Sequence, residues 1–128
     1  MSKYKASSVF ESFKFAMNGI LICIKTQLNF RIEAIMAIMG LVVAFYLRFT
    51  YVELAIYTFT VGLMLFAEMM NTVFEFVIDA YFGNKYSMLA KMGKDICAGA
   101  VFFISFISIG IGILLFFPKI YSLLVFKF

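Results

Sequence analysis

Apolar residues run through this chain in three long blocks, at 31–48, 52–78 and 96–117, separated by short polar segments. Each block is close to the ~20 residues that a helix needs to cross a membrane. Ahead of them, residues 4–25 alternate instead: Phe10, Phe13, Met17, Ile20, Leu21 and Ile24 recur at helical spacing, with Ser7, Glu11, Lys14, Asn18 and Lys25 opposite. That pattern predicts an amphipathic helix lying on the membrane surface, and its evenly spread lysines argue against a fourth span. The segment TQLNFRIE at 26–33 reads as a polar hinge, and 48–53 as a short turn whose Arg48 and Glu53 meet water. Residues 81–95 read as a basic loop with Gly83 and Asn84 as turn formers, and Pro118 is expected to end the third span, leaving an interfacial tail to 128. Ser108 and Gly112 form a small-xxx-small pair suited to close helix packing. The expected fold is all-α and integral to the membrane, one domain over 1–128.

Composition agrees. Of 128 residues, 65% are hydrophobic, and the mean hydropathy is +1.04, where a soluble domain would be about half apolar. Histidine is absent, and Cys23 and Cys97 have no metal-ligand spacing, which argues against zinc. A metal here should be a hard cation held by oxygen, such as magnesium. The net charge of +4 sits largely beside apolar segments, where phosphates or anionic headgroups would meet it, and nucleic acid is not expected as a partner. Residues 1–25 lack a compact apolar block, so no cleavable signal is expected. Lys3, Lys5, Lys14, Lys25, Arg31, Lys85, Lys91 and Lys94 would lie in the cytoplasm, against Arg48, Lys119 and Lys127 outside. This puts the N-terminus inside, on the cytoplasmic face of the membrane.

One stretch is costly. Residues 68–79, EMMNTVFEFVID, continue an apolar run with three carboxylates and an amide. At about 100° per residue, with Glu68 at zero, Asn71 falls near −60°, Glu75 near −20° and Asp79 near +20°, so one face carries all four. Glu68 lies about 16 Å deeper than Asp79 at 1.5 Å rise per residue. Ionisable groups at such depth are rarely kept without a partner, a cavity or a task.

Carboxylates on one face, followed by a lysine-bearing segment, supply what phosphoryl transfer needs: oxygens for magnesium, cations for phosphates and a base for the attacking hydroxyl. The acceptor would be a lipid. No Walker A pattern or kinase glycine loop is present. The blander alternative is that Glu75 and Asp79 pair with Lys91 and Lys94 and only position the connection. A small multidrug-type transporter using membrane carboxylates is another class, but it wants four spans and a single mid-membrane acid. A non-catalytic membrane scaffold would leave Glu68 unexplained.

Four segments, FESFKFAMNGI, TQLNFRIE, Glu68-x-x-Asn71-Thr72-x-x-Glu75-x-x-x-Asp79 and AKMGKDICAGAV, resemble the small prokaryotic diacylglycerol kinase and undecaprenol kinase family, in order and spacing over residues 10–117. The resemblance implies a membrane homotrimer with active sites at protomer contacts, using MgATP to phosphorylate a lipid hydroxyl. It implies Glu68 as the general base with Asn71 beside it, and Glu75, Gln27 and Asp79 at the magnesium. Phe15, Gly19, Tyr86, Lys94 and Asp95 would approach the nucleotide. Arg31, Glu33, Glu68 and Ala98 would meet the lipid, with Glu68 facing it. Gln27 stands where the family usually has a metal-binding glutamate, so the hinge brings an amide oxygen without charge. NFRIE, NT and AKxxKDxxAGAV look closer to the undecaprenol-type branch.

Overall fold

The computed structural model describes residues 6, 8–83 and 85–125. They form four helices, α1 (Val9–Thr26), α2 (Leu28–Tyr46), α3 (Tyr51–Phe82) and α4 (Met88–Val125). Ser8 caps α1 by accepting from the Glu11 N–H at 3.2 Å, which satisfies one of the orphan donors of a helix start. Residues 4, 5 and 7 of the expected surface helix fall outside the described residues.

Gln27 alone separates α1 from α2. Its backbone is extended, at φ −108 and ψ 112, while its N–H still closes on the Cys23 carbonyl. One non-helical residue thus makes the corner, and α2 begins three residues before the expected span. At the other end of α2, Arg48 takes a left-handed φ of 54, and Thr50 and Glu53 cap α3 reciprocally as a capping box. The α3 helix stops at Gly83, whose φ of +56 costs a residue without Cβ little.

Two expectations fail at α4. Residues 88–95 are helical rather than loop, so Lys91, Lys94 and Asp95 ride on the first turns of α4. Pro118 does not end the third span either, because the helix continues through it to Val125. A proline inside a helix loses a hydrogen bond and crowds the preceding turn, at roughly 3 kcal/mol. Contacts on both sides of it offset this. Phe116 packs on Phe49 at 4.8 Å and on Tyr57 at 5.7 Å between ring centroids, and Lys119 pairs with Glu53 at 3.0 Å. Glu53 is therefore a cap and an ion-pair partner, not a residue that merely solvates a turn. Residues 118–125 extend α4 instead of forming a separate tail; 126–128 are outside the described residues.

Among the described residues three helices, α2, α3 and α4, are long and apolar enough to cross a membrane. That number does not suit the four-span transporter. The middle one, α3, touches the other three. The buried apolar core is thin, consisting of Cys23, Phe30, Ala44 and Phe49, while side chains such as Phe59 and Phe106 stay exposed. A chain in lipid has little to gain from hiding apolar side chains among themselves. Where α2 and α3 cross, the Tyr57 hydroxyl donates to the Ala37 carbonyl at 2.7 Å. Within the single chain no helix packs closely on Gly112, where a Cβ would meet nothing within 4 Å, and the small-residue pair of Ser108 and Gly112 faces open space. They line an apolar cleft of about 330 Å³ between α2, α3 and α4, with Glu33 in its wall.

Candidate active site

The acidic face of α3 is graded as its spacing suggests. Glu68 is 2% exposed, Asn71 and Glu75 are half-buried, and Asp79 is exposed. Glu68 does not face lipid. It is buried inside the chain, where the Asn29 side-chain amide hydrogen-bonds it and Glu75 lies close enough for its charge to be felt. Glu33 in turn feels the charge of Glu68. The reason is the face of α2: Asn29 and Glu33 are four residues apart, hence neighbours on one side of that helix, and they offer Glu68 polar company that lipid lacks. Thr72, also 2% exposed, donates to the Glu68 backbone carbonyl at 2.9 Å.

Glu68 thus feels two other carboxylates, Glu33 and Glu75, and none of the three belongs to the ion pairs among the described residues, which are Lys94 with Asp79 and Lys119 with Glu53. A buried charge without a counter-ion is costly. Two acceptors are also orphaned: Glu33 Oε2 and Asn71 Oδ1 are buried without a hydrogen-bond donor. Asn71 uses its other end to donate to Glu75 Oε1 at 3.4 Å, which fixes its amide and leaves the carbonyl oxygen free. Asn71 lines a second apolar cleft of about 280 Å³ between α3 and α4, with Phe74, Cys97 and Ile104. The cluster can accept a proton, a hydroxyl donor or a hard cation, and it stands between two apolar clefts.

At the shallow end the blander reading holds for one pair. Lys94 reaches across from α4 to Asp79; Lys91 makes no ion pair among the described residues. The other candidates are spread around this end of the bundle. Gln27 is half-buried at the corner between α1 and α2, and its side chain makes no capping bond. Phe15 is exposed on α1, with Gly19 one turn on; Arg31 is exposed on α2, Tyr86 on the connection after α3, and Asp95 and Ala98 on α4. Glu33, Glu68, Asn71 and Glu75 come together, whereas no described contact joins Phe15, Gly19, Tyr86, Asp95 or Ala98 to them.

Asn29 is the site residue that the sequence reading passed over, although its four-residue spacing to Glu33 signals a shared face. Magnesium fits this donor set only in part. The donors are oxygens, as a hard cation requires, but no three His, Cys, Asp or Glu among the described residues are grouped to hold a metal. A cation arriving with phosphate oxygens of its own would suit the site; a resident one would not.

A family model described as prokaryotic diacylglycerol kinase matches residues 14–116. A diacylglycerol kinase of Synechocystis sp. is 32% identical over 120 residues, which cover 94% of this chain and 69% of that protein. An undecaprenol kinase of Bacillus subtilis is 36% identical over 111 residues, covering 87% of this chain and 89% of that protein.

Proposed function

The chain belongs to the prokaryotic diacylglycerol kinase family and is a membrane lipid kinase, and from there we propose that it uses MgATP to phosphorylate a lipid hydroxyl held beside Glu68. The observation that carries this is the buried Glu68 with half-buried Glu33 and Glu75 within reach of its charge, none of the three in an ion pair among the described residues. Glu68 takes the hydroxyl proton as the alcohol oxygen forms a bond to the γ-phosphorus of ATP and the bond to the leaving ADP oxygen breaks. The orphaned Asn71 carbonyl oxygen accepts from the same hydroxyl in the ground state and orients it. Magnesium, when bound, neutralises phosphate charge, and Glu75 with Gln27 would hold it. Lys94, positioned by Asp79, draws the phosphates to the mouth of the site, and Arg31 holds the lipid headgroup region.

Phe15, Gly19, Tyr86 and Asp95 are assigned to the nucleotide and Ala98 to the lipid on the resemblance of their segments alone. On the same ground the enzyme is read as a homotrimer of the cytoplasmic membrane, α1 lying on its inner surface. The lysines near the Glu75 end support a cytoplasmic site, where ATP is available. The names of the relatives leave two acceptors, diacylglycerol and undecaprenol, and the NFRIE and AKxxKDxxAGAV segments favour the latter. The test is phosphate transfer from ATP with magnesium in bilayers, the two lipids compared side by side. Turnover dependent on either lipid supports the reading, a higher kcat/KM identifies the acceptor, and ATP use indifferent to added lipid overturns it.

A further inference from the structure

The opposite end of the bundle carries a third cleft, and this one is polar. Tyr46, Leu47, Arg48, Lys119, Ser122 and Leu123 enclose about 380 Å³ where the α2–α3 turn meets the last turns of α4. It exists because α4 runs on past Pro118; a helix ending at the proline would leave Arg48 facing nothing.

Charge at this cleft is unbalanced. Lys119 lies 3.0 Å from Glu53 and 5.8 Å from the centre of the Phe49 ring. Glu53 is the one acid on this turn and is already shared with the Thr50 N–H at 2.6 Å. Arg48 makes no ion pair among the described residues, yet the chain sets it in a left-handed backbone, φ 54, that few residues other than glycine and asparagine adopt readily. The cleft therefore holds one more positive charge than negative. Its depth is also defined: Tyr51 lies 24 residues along α3 from Glu75, about 36 Å at 1.5 Å per residue, slightly more than a hydrocarbon core of about 30 Å. That places Arg48 and Lys119 at headgroup level in the leaflet opposite the Glu75 end, with Tyr46 beside them as an interfacial aromatic.

We propose that Arg48 and Lys119 bind the phosphodiester of an anionic phospholipid in that far leaflet, as a non-substrate lipid that fastens α4 to the α2–α3 turn. A guanidinium presents paired donors to two phosphate oxygens, and the single excess charge matches one phosphodiester. A net anionic headgroup is preferred over a zwitterionic one, because no second acid among the described residues faces a choline or ethanolamine.

The test is native mass spectrometry of the full-length protein released from nanodiscs of equal phosphatidylglycerol and phosphatidylcholine. The wild type should retain phosphatidylglycerol roughly fivefold over phosphatidylcholine, the factor matching about 1 kcal/mol for the one unbalanced basic charge at the cleft. Arg48→Asn, which suits the left-handed backbone, should lose the preference, Arg48→Lys should keep most of it, and Lys119→Gln should reduce it. Equal retention by the wild type and Arg48→Asn overturns the proposal. So does displacement of the lipid by millimolar inorganic phosphate, which would mark a soluble-anion site.

Discussion

Glu53 and Glu68 stand on one helix, about four turns apart, in opposite situations. Glu53 accepts from the Thr50 N–H, pairs with Lys119 and helps to hold α4 across its proline. Its charge is matched, and it organises structure. Glu68 is more deeply buried, has the Asn29 amide as its hydrogen-bond partner, and shares its surroundings with Glu33 and Glu75. Its charge is unmatched, and the neighbouring Glu33 and Asn71 leave acceptors unused. A carboxylate that a fold has answered is architecture. One that it has buried and left unanswered awaits a ligand, and in the reaction proposed above the ligands would bring a hydroxyl proton and a divalent cation.

Replacing Glu68 is the most severe test of that contrast. Glu68→Gln keeps the shape and the contact with Asn29 while removing the base, so turnover should fall by about 10²–10⁴-fold with nucleotide binding and the folded state retained. Full activity in this variant would erase the distinction between the two carboxylates. Between them lies the crossing of α2 and α3, where a Cβ on Gly40 would collide with the Tyr57 hydroxyl and ring. Gly40→Ala should cost about 1–3 kcal/mol by overpacking, read from reversible unfolding in detergent. It should also lower activity, since it displaces the face of α2 that carries Asn29 and Glu33.

Much of this was legible before any coordinates. The three apolar blocks became α2, α3 and α4, and the helical spacing of Glu68, Asn71, Glu75 and Asp79 anticipated their gradient from buried to exposed. What escaped is tertiary in origin. Pro118 signals a helix end locally, but Phe116 and Lys119 anchor the chain on either side of it to Phe49, Tyr57 and Glu53, partners distant in sequence. Lys91, Lys94 and Asp95 look like a loop because Gly83 and Asn84 signal a turn and lysines recur after it, whereas Lys94 makes its ion pair from a helix. Glu68 was expected to face lipid because its own helix shows only its periodicity; which neighbour covers that face depends on Asn29 and Glu33 of α2.

Gln27 sharpens the contrast at the metal. Glu75 would share a magnesium with phosphate oxygens, and the corner residue supplies an amide where a charge would bind more tightly. Gln27→Glu should shift a magnesium titration of turnover to lower concentration, without changing kcat at saturating metal. An unmoved titration would remove Gln27 from the metal and leave Glu75 as its one ligand from this face.

Glu53→Gln should have the smallest effect, and for that reason it closes the comparison. An amide still accepts from the Thr50 N–H, so the cap is weakened rather than lost, while the ion pair with Lys119 is reduced to a neutral hydrogen bond. The melting temperature should fall slightly, and kcat and KM for ATP and lipid should match the wild type. Because Lys119 would then face one fewer negative charge, retention of phosphatidylglycerol should rise while catalysis stays constant. A loss of turnover comparable to that of Glu68→Gln would show that both carboxylates serve the reaction, and that partnered and unpartnered acids on α3 do not differ in role.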